Sequence, residues 1–94
     1  MVIRSFADAD TRLLWETGKS RRIPANIRKT ALRKLAVLDS AEELEDLIEP
    51  PGNYLEALKR GRTGQHSIRI NDRYRLCFVW KEPNAYEAEV VDYH

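Results

Sequence analysis

The stretch His66–Trp80, "HSIRINDRYRLCFVW", decides the fold. "HSIRI" (66–70) alternates polar and apolar residues with period two, as a strand with one buried face does. Asn71 and Asp72 suit a tight turn, because their side chains bond nearby backbone and tolerate left-handed geometry. "YRLCFVW" (74–80) alternates again, with Leu76, Phe78 and Trp80 on one face and Arg75, Cys77 and Val79 on the other. Two such runs about a short turn read as an antiparallel hairpin. Downstream, "KEPNA" (81–85) turns the chain and "YEAEVVDY" (86–93) returns it. Upstream, "YLEAL" (54–58) reads as a short strand. The second half of the chain is therefore expected to be an antiparallel meander.

Before Tyr54 the period is helical. "VIRSF" (2–6) alternates and reads as an edge strand. Ser5 is placed to cap a helix running through "ADADTRLLWETG", with Asp8 and Asp10 in its first turn complementing the helix dipole. Gly18 stops that helix. Pro24 suits a first helical position. Ile27, Ala31, Leu35 and Leu38 then recur at four- and three-residue spacing, which is one face of a second helix. Ser40-Ala41-Glu42-Glu43 reads as a capping box for a short third helix, whose Leu44, Leu47 and Ile48 are expected to fold back on the core. "EPPGN" (49–53) ends all helix and implies an extended turn. The expected class is α+β: two N-terminal helices and a short third packed on a small antiparallel sheet, as one domain over residues 1–94.

Ninety-four residues, 43% hydrophobic and 33% charged, fit one modest soluble core. No apolar run approaches the ~18 residues of a membrane span, and "MVIRSFADAD" carries no export signal. With a single cysteine, Cys77, no internal disulfide is possible, so a cytoplasmic location is expected. One cysteine and two histidines argue against a structural zinc site. The net charge of +1 conceals blocks. Residues 1–38 and 59–81 are basic, whereas 39–58 and 82–94 are acidic. The basic blocks are either an anion-binding face or solvated surface.

Strand alternation places Arg73 and Arg75 on one face, and an arginine there offers five donors to a phosphate. The loop "LKRGRTGQHS" (58–67) adds Lys59, Arg60 and Arg62, with Gly61 and Gly64 permitting close backbone approach. No Walker or dinucleotide fingerprint is present. Taken alone, the loop is equally a weakly specific anion site or a solvated basic hairpin. The chain ends on Asp92-Tyr93-His94. In a meander the last strand finishes beside the preceding ones, where His94 would meet the arginines. Histidine gives or takes a proton near neutrality. A tyrosine can stack on a base, and an aspartate can orient a neighbour. A histidine with lysine and arginine about a phosphate is the inventory for RNA strand cleavage. His66 reads as a sheet-surface residue, Cys77 as a strand residue without a redox role, and Trp15 and Trp80 as core.

"IRSF", "ETGKSRRIP", "LKRGRTGQHSIRINDRYRLCF" and the terminal "DYH" together resemble the HigB toxins, within the RelE/ParE superfamily, over the whole chain. The resemblance implies a compact antiparallel sheet with two N-terminal helices. It implies a metal-free, cofactor-free endoribonuclease that enters the ribosomal A site, contacts 16S rRNA, cuts mRNA and is neutralised by a HigA-type helix-turn-helix antitoxin. Carried over by motif, the catalytic positions fall on Lys59, Arg75, Asp92, Tyr93 and His94. Arg60, Arg62 and Arg73 would be auxiliary phosphate or ribosomal RNA contacts. Two features depart from the family pattern. Lys59-Arg60-Gly61-Arg62 stands where Lys-Gly-Asp-Arg is usual, and His66 and Tyr74 stand where tryptophan is common. The alternatives in other classes are a ParE-like gyrase poison without nuclease activity and a non-catalytic binding module. The antitoxin's landing surface is either the basic blocks of the first two helices or "AEELEDLIE" (41–49).

Overall fold

The computed structural model describes residues 2–49, 51–58 and 64–92. Two helices, α1 (Ala9–Thr17) and α2 (Ala25–Ser40), precede 3₁₀ helices at Leu44–Ile48 and Pro51–Asn53. Four strands follow: β1 (Glu56–Ala57), β2 (Gln65–Arg69), β3 (Tyr74–Lys81) and β4 (Asn84–Asp92). They form one antiparallel sheet in the order β1-β2-β3-β4, the expected meander. No helix among the described residues is long and apolar enough to cross a membrane.

The helices bury the apolar stripe that their spacing implied. Leu14, Ile27, Ala31, Leu35 and Leu38 pack with Ile68, Leu76 and Phe78 of the sheet. Cross-strand register explains the match, because Ile68 faces Leu76 and Leu76 faces Val90, all on the helix side. The Val90 amide also donates to Thr11 Oγ1 at 3.0 Å, tying β4 to α1. Such internal bonds matter because Thr11 is fully buried and an unpaired buried hydroxyl is costly.

Several local expectations change. "VIRSF" makes no strand ladder. It runs parallel to β4 through two isolated bridges, Ile3 to Ala85 and Phe6 to Ala88. Ser5 does not cap α1, because its hydroxyl accepts the Glu87 amide at 2.9 Å, next to a register shift in the β3–β4 ladder. Asp8 is the cap, its carboxylate accepting the Thr11 amide at 2.9 Å, three residues on. Gly18 does end α1, with φ of 81°. Pro24 is the residue before α2 rather than its first.

Ser40 does not open a capping box. Its hydroxyl turns back to donate to the Val37 carbonyl, and the reciprocal box is formed by Glu43 and Asp46. Asp46 accepts the amides of Glu42 and Glu43 at 2.8 and 3.0 Å, which pulls its carboxyl below the usual range. Leu47 is fully buried, but Ile48 stays 54% exposed rather than joining the core.

The turn after the third helix is not extended, because Pro51–Asn53 forms a 3₁₀ turn around a buried amide. The Asn53 Nδ2 donates to the carbonyls of Leu47 and Glu49, both at 3.2 Å. Its Oδ1 accepts from Lys34 Nζ at 2.5 Å. One side chain thus ties α2 to both 3₁₀ segments and fixes where Tyr54 emerges.

His66 is half-buried rather than on the sheet surface. Its ring stacks on Phe78 with centroids 6.2 Å apart, and Nδ1 has no hydrogen-bond partner among the described residues. Burial therefore pushes the imidazole pKa down. Folding then favours the neutral ring, so its contribution is complete above about pH 6.5 and is lost as pH falls through the lowered folded value. Thermal midpoints measured from pH 7.5 down to pH 5 should fall in the parent, and fall less in His66→Gln. Equal slopes in the two proteins would contradict the assignment.

Candidate active site

Tyr74 and Arg75 open β3, and alternation sends them to opposite faces. Tyr74 sits opposite Asp92 of β4 and Arg75 opposite Val91. On its other side Arg75 lies directly across from Arg69 of β2. Two like charges directly opposed across an antiparallel pair are destabilising, and carboxylates relieve them here. Glu56 lies 3.6 Å from the Arg75 guanidinium, and Asp72 pairs with Arg69.

Arg75 is held in place. Its side chain is only 12% exposed. Nε donates to Ser67 Oγ at 2.7 Å, while Nη2 donates to the carbonyls of Ser67, at 3.3 Å, and Tyr54. Ser67 is fully buried beneath it. Arg69 stands over the Tyr54 ring, 5.8 Å from its centroid. Tyr54, Glu56, Arg69, Asp72 and Arg75 line a shallow depression of about 390 Å³, within the ~300–1,000 Å³ range of small-ligand sites.

Further cations lie near Arg69. Lys34 is lowered in pKa first by its own burial, then by Arg33 and by Arg69, so these cations lie close enough to repel one another. Two guanidiniums and two carboxylates line the depression, and with Arg75 pre-oriented an anion that displaces Glu56 and Asp72 would find its donors already in place.

Arg73 does not share the face of Arg75, contrary to the alternation argument. Asn71 Oδ1 accepts the amides of both Arg73 and Tyr74 at 2.8 Å, so the turn includes residue 73 and alternation starts only at Tyr74. The Arg73 side chain turns to Asp92. Nε donates to both carboxylate oxygens at 3.0 Å, and Nη2 donates to Oδ2 at 2.8 Å. The pairing pushes the Arg73 pKa up, the Asp92 hydrogen bond being the main cause.

Asp92 faces a second depression, of about 250 Å³, whose walls also include Asp8, Asp10, Arg22 and Tyr74. Arg75 and Asp92 therefore stand on opposite faces of the sheet. The Arg73–Asp92 fork anchors the end of β4, after which Tyr93 and His94 follow in sequence. Lys59, Arg60, Arg62, Tyr93 and His94 lie outside the described residues. The Leu58 amide donates to the Gln65 carbonyl at 2.8 Å, so the two ends of the segment carrying Lys59, Arg60 and Arg62 are held together.

Sequence reasoning did not put Tyr54, Glu56 or Ser67 in the site. The register was the available signal. Once Asn71-Asp72 is the turn, Arg69 must face Arg75 and Ser67 must face Cys77, two positions along the same side.

Comparisons with known proteins agree with this architecture. The family model for the RelE-like toxin of the type II toxin-antitoxin system HigB matches residues 4–94. Toxin HigB-1 of Vibrio cholerae is 42% identical over 76 residues, which is 80% of this chain and 80% of that protein. Endoribonuclease HigB of Proteus vulgaris is 30% identical over 93 residues, covering 99% of this chain and 100% of that protein. The YoeB–YefM complex from Staphylococcus aureus superposes with a TM-score of 0.62 at 19% identity, over 100% of this chain and 99% of that one, a likeness of fold.

Proposed function

Because this chain belongs to the HigB-like family of RelE-like toxins of type II toxin–antitoxin systems, we propose that it is an endoribonuclease that cuts mRNA in the ribosomal A site. The observation that carries this reading is the Arg75 guanidinium, nearly buried, oriented by Ser67 and the Tyr54 carbonyl, and directly opposed by Arg69. A gyrase poison needs a protein-docking face rather than an oriented guanidinium pair. The relative named for endoribonuclease activity, matched over 99% of this chain, supports the nuclease.

The reaction needs three services. A base removes the proton of the ribose 2′-hydroxyl. The oxygen then attacks phosphorus, forming the O2′–P bond and concentrating charge on the non-bridging oxygens. The P–O5′ bond breaks and the 5′-oxygen takes a proton. In this proposal Arg75 and Lys59 bind the scissile phosphate and stabilise its developing charge, and no metal is needed for that role. His94 transfers a proton, with Lys59 the other candidate donor. Tyr93 contacts the displaced nucleotide. Asp92, held by Arg73, positions the end of β4. Arg60 and Arg62 contact phosphate or 16S rRNA, and such contacts weaken steeply as salt rises. A HigA-type helix-turn-helix antitoxin is the proposed inhibitor, and the cytoplasm, where ribosomes are, is the proposed site of action.

Primer extension on mRNA from cells expressing the protein tests the reading. New 5′ ends should appear within translated regions and vanish when the start codon of the reporter message is removed. Growth arrest with intact message and inhibited supercoiling would replace the nuclease with a gyrase poison.

A further inference from the structure

Tyr54 is an exposed aromatic in a costly conformation. It is 61% exposed, the most exposed large apolar side chain among the described residues, and its φ of 44° lies in the left-handed region. For a bulky L-residue that region is strained, because Cβ crowds the following carbonyl. Such strain persists only where surrounding structure imposes it, and it clusters at ligand sites. Five hydrogen bonds impose it here. Asn53 is fixed by Lys34 and two carbonyls, the Tyr54 amide donates to the Pro51 carbonyl at 3.1 Å, and Arg75 holds the Tyr54 carbonyl. The result sends the ring out of the fold and beneath Arg69.

We propose that Tyr54 and Arg69 form a nucleobase-stacking subsite of the Arg75 pocket, which takes the base of a nucleotide flanking the phosphate held by Arg75. The proposal rests on the RNA-cleaving reading above and extends it. A guanidinium over one side of the ring makes a cation–π pair. A phenol ring that is mostly open to solvent offers a π surface to a base, and stacking on either plane is indifferent to base identity. The ring lines the same depression as Arg75, so base and phosphate are bound within one nucleotide's reach. Glu56 and Asp72, which now neutralise the two arginines, give way as the phosphate takes over their partners. Sequence-tolerant stacking next to a phosphate clamp would let the toxin hold many codons.

The test uses the full chain and a short oligonucleotide that cannot be cleaved, with 2′-deoxyribose throughout and one 2-aminopurine, at low salt. Stacking quenches 2-aminopurine fluorescence. The parent and Tyr54→Phe should quench it saturably. Tyr54→Ala should bind roughly 5–150-fold more weakly, the range of one lost base–aromatic stack, and without quenching. Tyr54→Asn is the control for folding, because asparagine tolerates positive φ. It should melt at or above the parent's temperature and still fail to quench. No saturable quenching by the parent, or equal quenching by Tyr54→Ala and Tyr54→Asn, overturns the subsite. Message cleavage by the parent, measured in parallel, judges the nuclease reading on its own. A parent that cleaves yet shows no Tyr54-dependent quenching sinks the subsite alone.

Discussion

His94→Ala should cut message about 10²–10⁴-fold more slowly than the parent, the usual contribution of one general acid–base group, and should melt at the parent's temperature. The described pocket supplies charge but no proton carrier. A guanidinium offers donors but neither accepts nor releases a proton in such a reaction, and Glu56 and Asp72 are engaged with Arg75 and Arg69. Strand scission must nevertheless remove one proton and deliver another. An imidazole does both near neutrality, and in sequence His94 stands two residues past Asp92, the strand end that the Arg73–Asp92 fork holds in place.

The fold should be indifferent to this change, since the buried core cluster runs from Ile3 to Ala88. Cleavage by the purified variant on programmed ribosomes, with thermal melting alongside, gives both numbers. A variant that cuts like the parent would move proton transfer to Lys59. A variant that melts early would make the lost activity uninformative, so His94→Gln, similar in size and polar but not titrating near neutrality, should be as inactive as alanine. Arg73→Ala distinguishes positioning from chemistry. It removes the anchor of β4 and leaves every proton-transfer group in place, so its rate should fall less than that of His94→Ala while the pH profile keeps its shape.

The sheet was readable because its signal is redundant. Period-two alternation in "HSIRI" and "YRLCFVW", together with a turn at Asn71-Asp72, leaves one register, and that register sets Ile68 against Leu76 and Arg69 against Arg75. Helix caps were less readable because several side chains compete for the same amides. Ser5 and Asp8 are both capping types, and the choice depends on β4, whose Glu87 amide claims Ser5. Ser40 lost its expected role in the same way, since the Asp46 carboxylate meets the Glu42 and Glu43 amides from the other side. Arg73 was misplaced because alternation was extended through a turn whose limits depend on the Asn71 side chain. Arg75 was singled out both by strand alternation and by its motif. Its neighbours Tyr54 and Glu56 come from a segment where two prolines and a glycine erase periodicity, and they reach the pocket through tertiary bonds of Asn53, the Arg75–Tyr54 bond and the pairing of Glu56 with Ser67.

Asn53→Ala should therefore be the most damaging substitution outside the apolar core, at about 3 kcal/mol, from stranding one buried ammonium and two carbonyls. Asn53 is fully buried and Lys34 only 8% exposed. Loss of the amide leaves the ammonium of Lys34 without the acceptor 2.5 Å away, in surroundings whose burial and nearby arginines already push its pKa down. The Leu47 and Glu49 carbonyls lose their donor as well. For a domain of this size about 3 kcal/mol is a midpoint drop of roughly 12–24 °C, a large share of the ~5–15 kcal/mol that holds such a fold together. Replacing both partners by apolar groups should cost far less than breaking the pair, because no charge is then stranded. Lys34→Met with Asn53→Leu should recover part of the loss. Urea unfolding of the two single variants and the double variant, compared as a cycle, measures the coupling. Additive losses would show that Lys34 and Asn53 stabilise the fold independently. A positive coupling with a recovered melt, but with RNA binding still weakened, would separate the two roles of this residue: holding the 3₁₀ turns together, and aiming the Tyr54 backbone at Arg75.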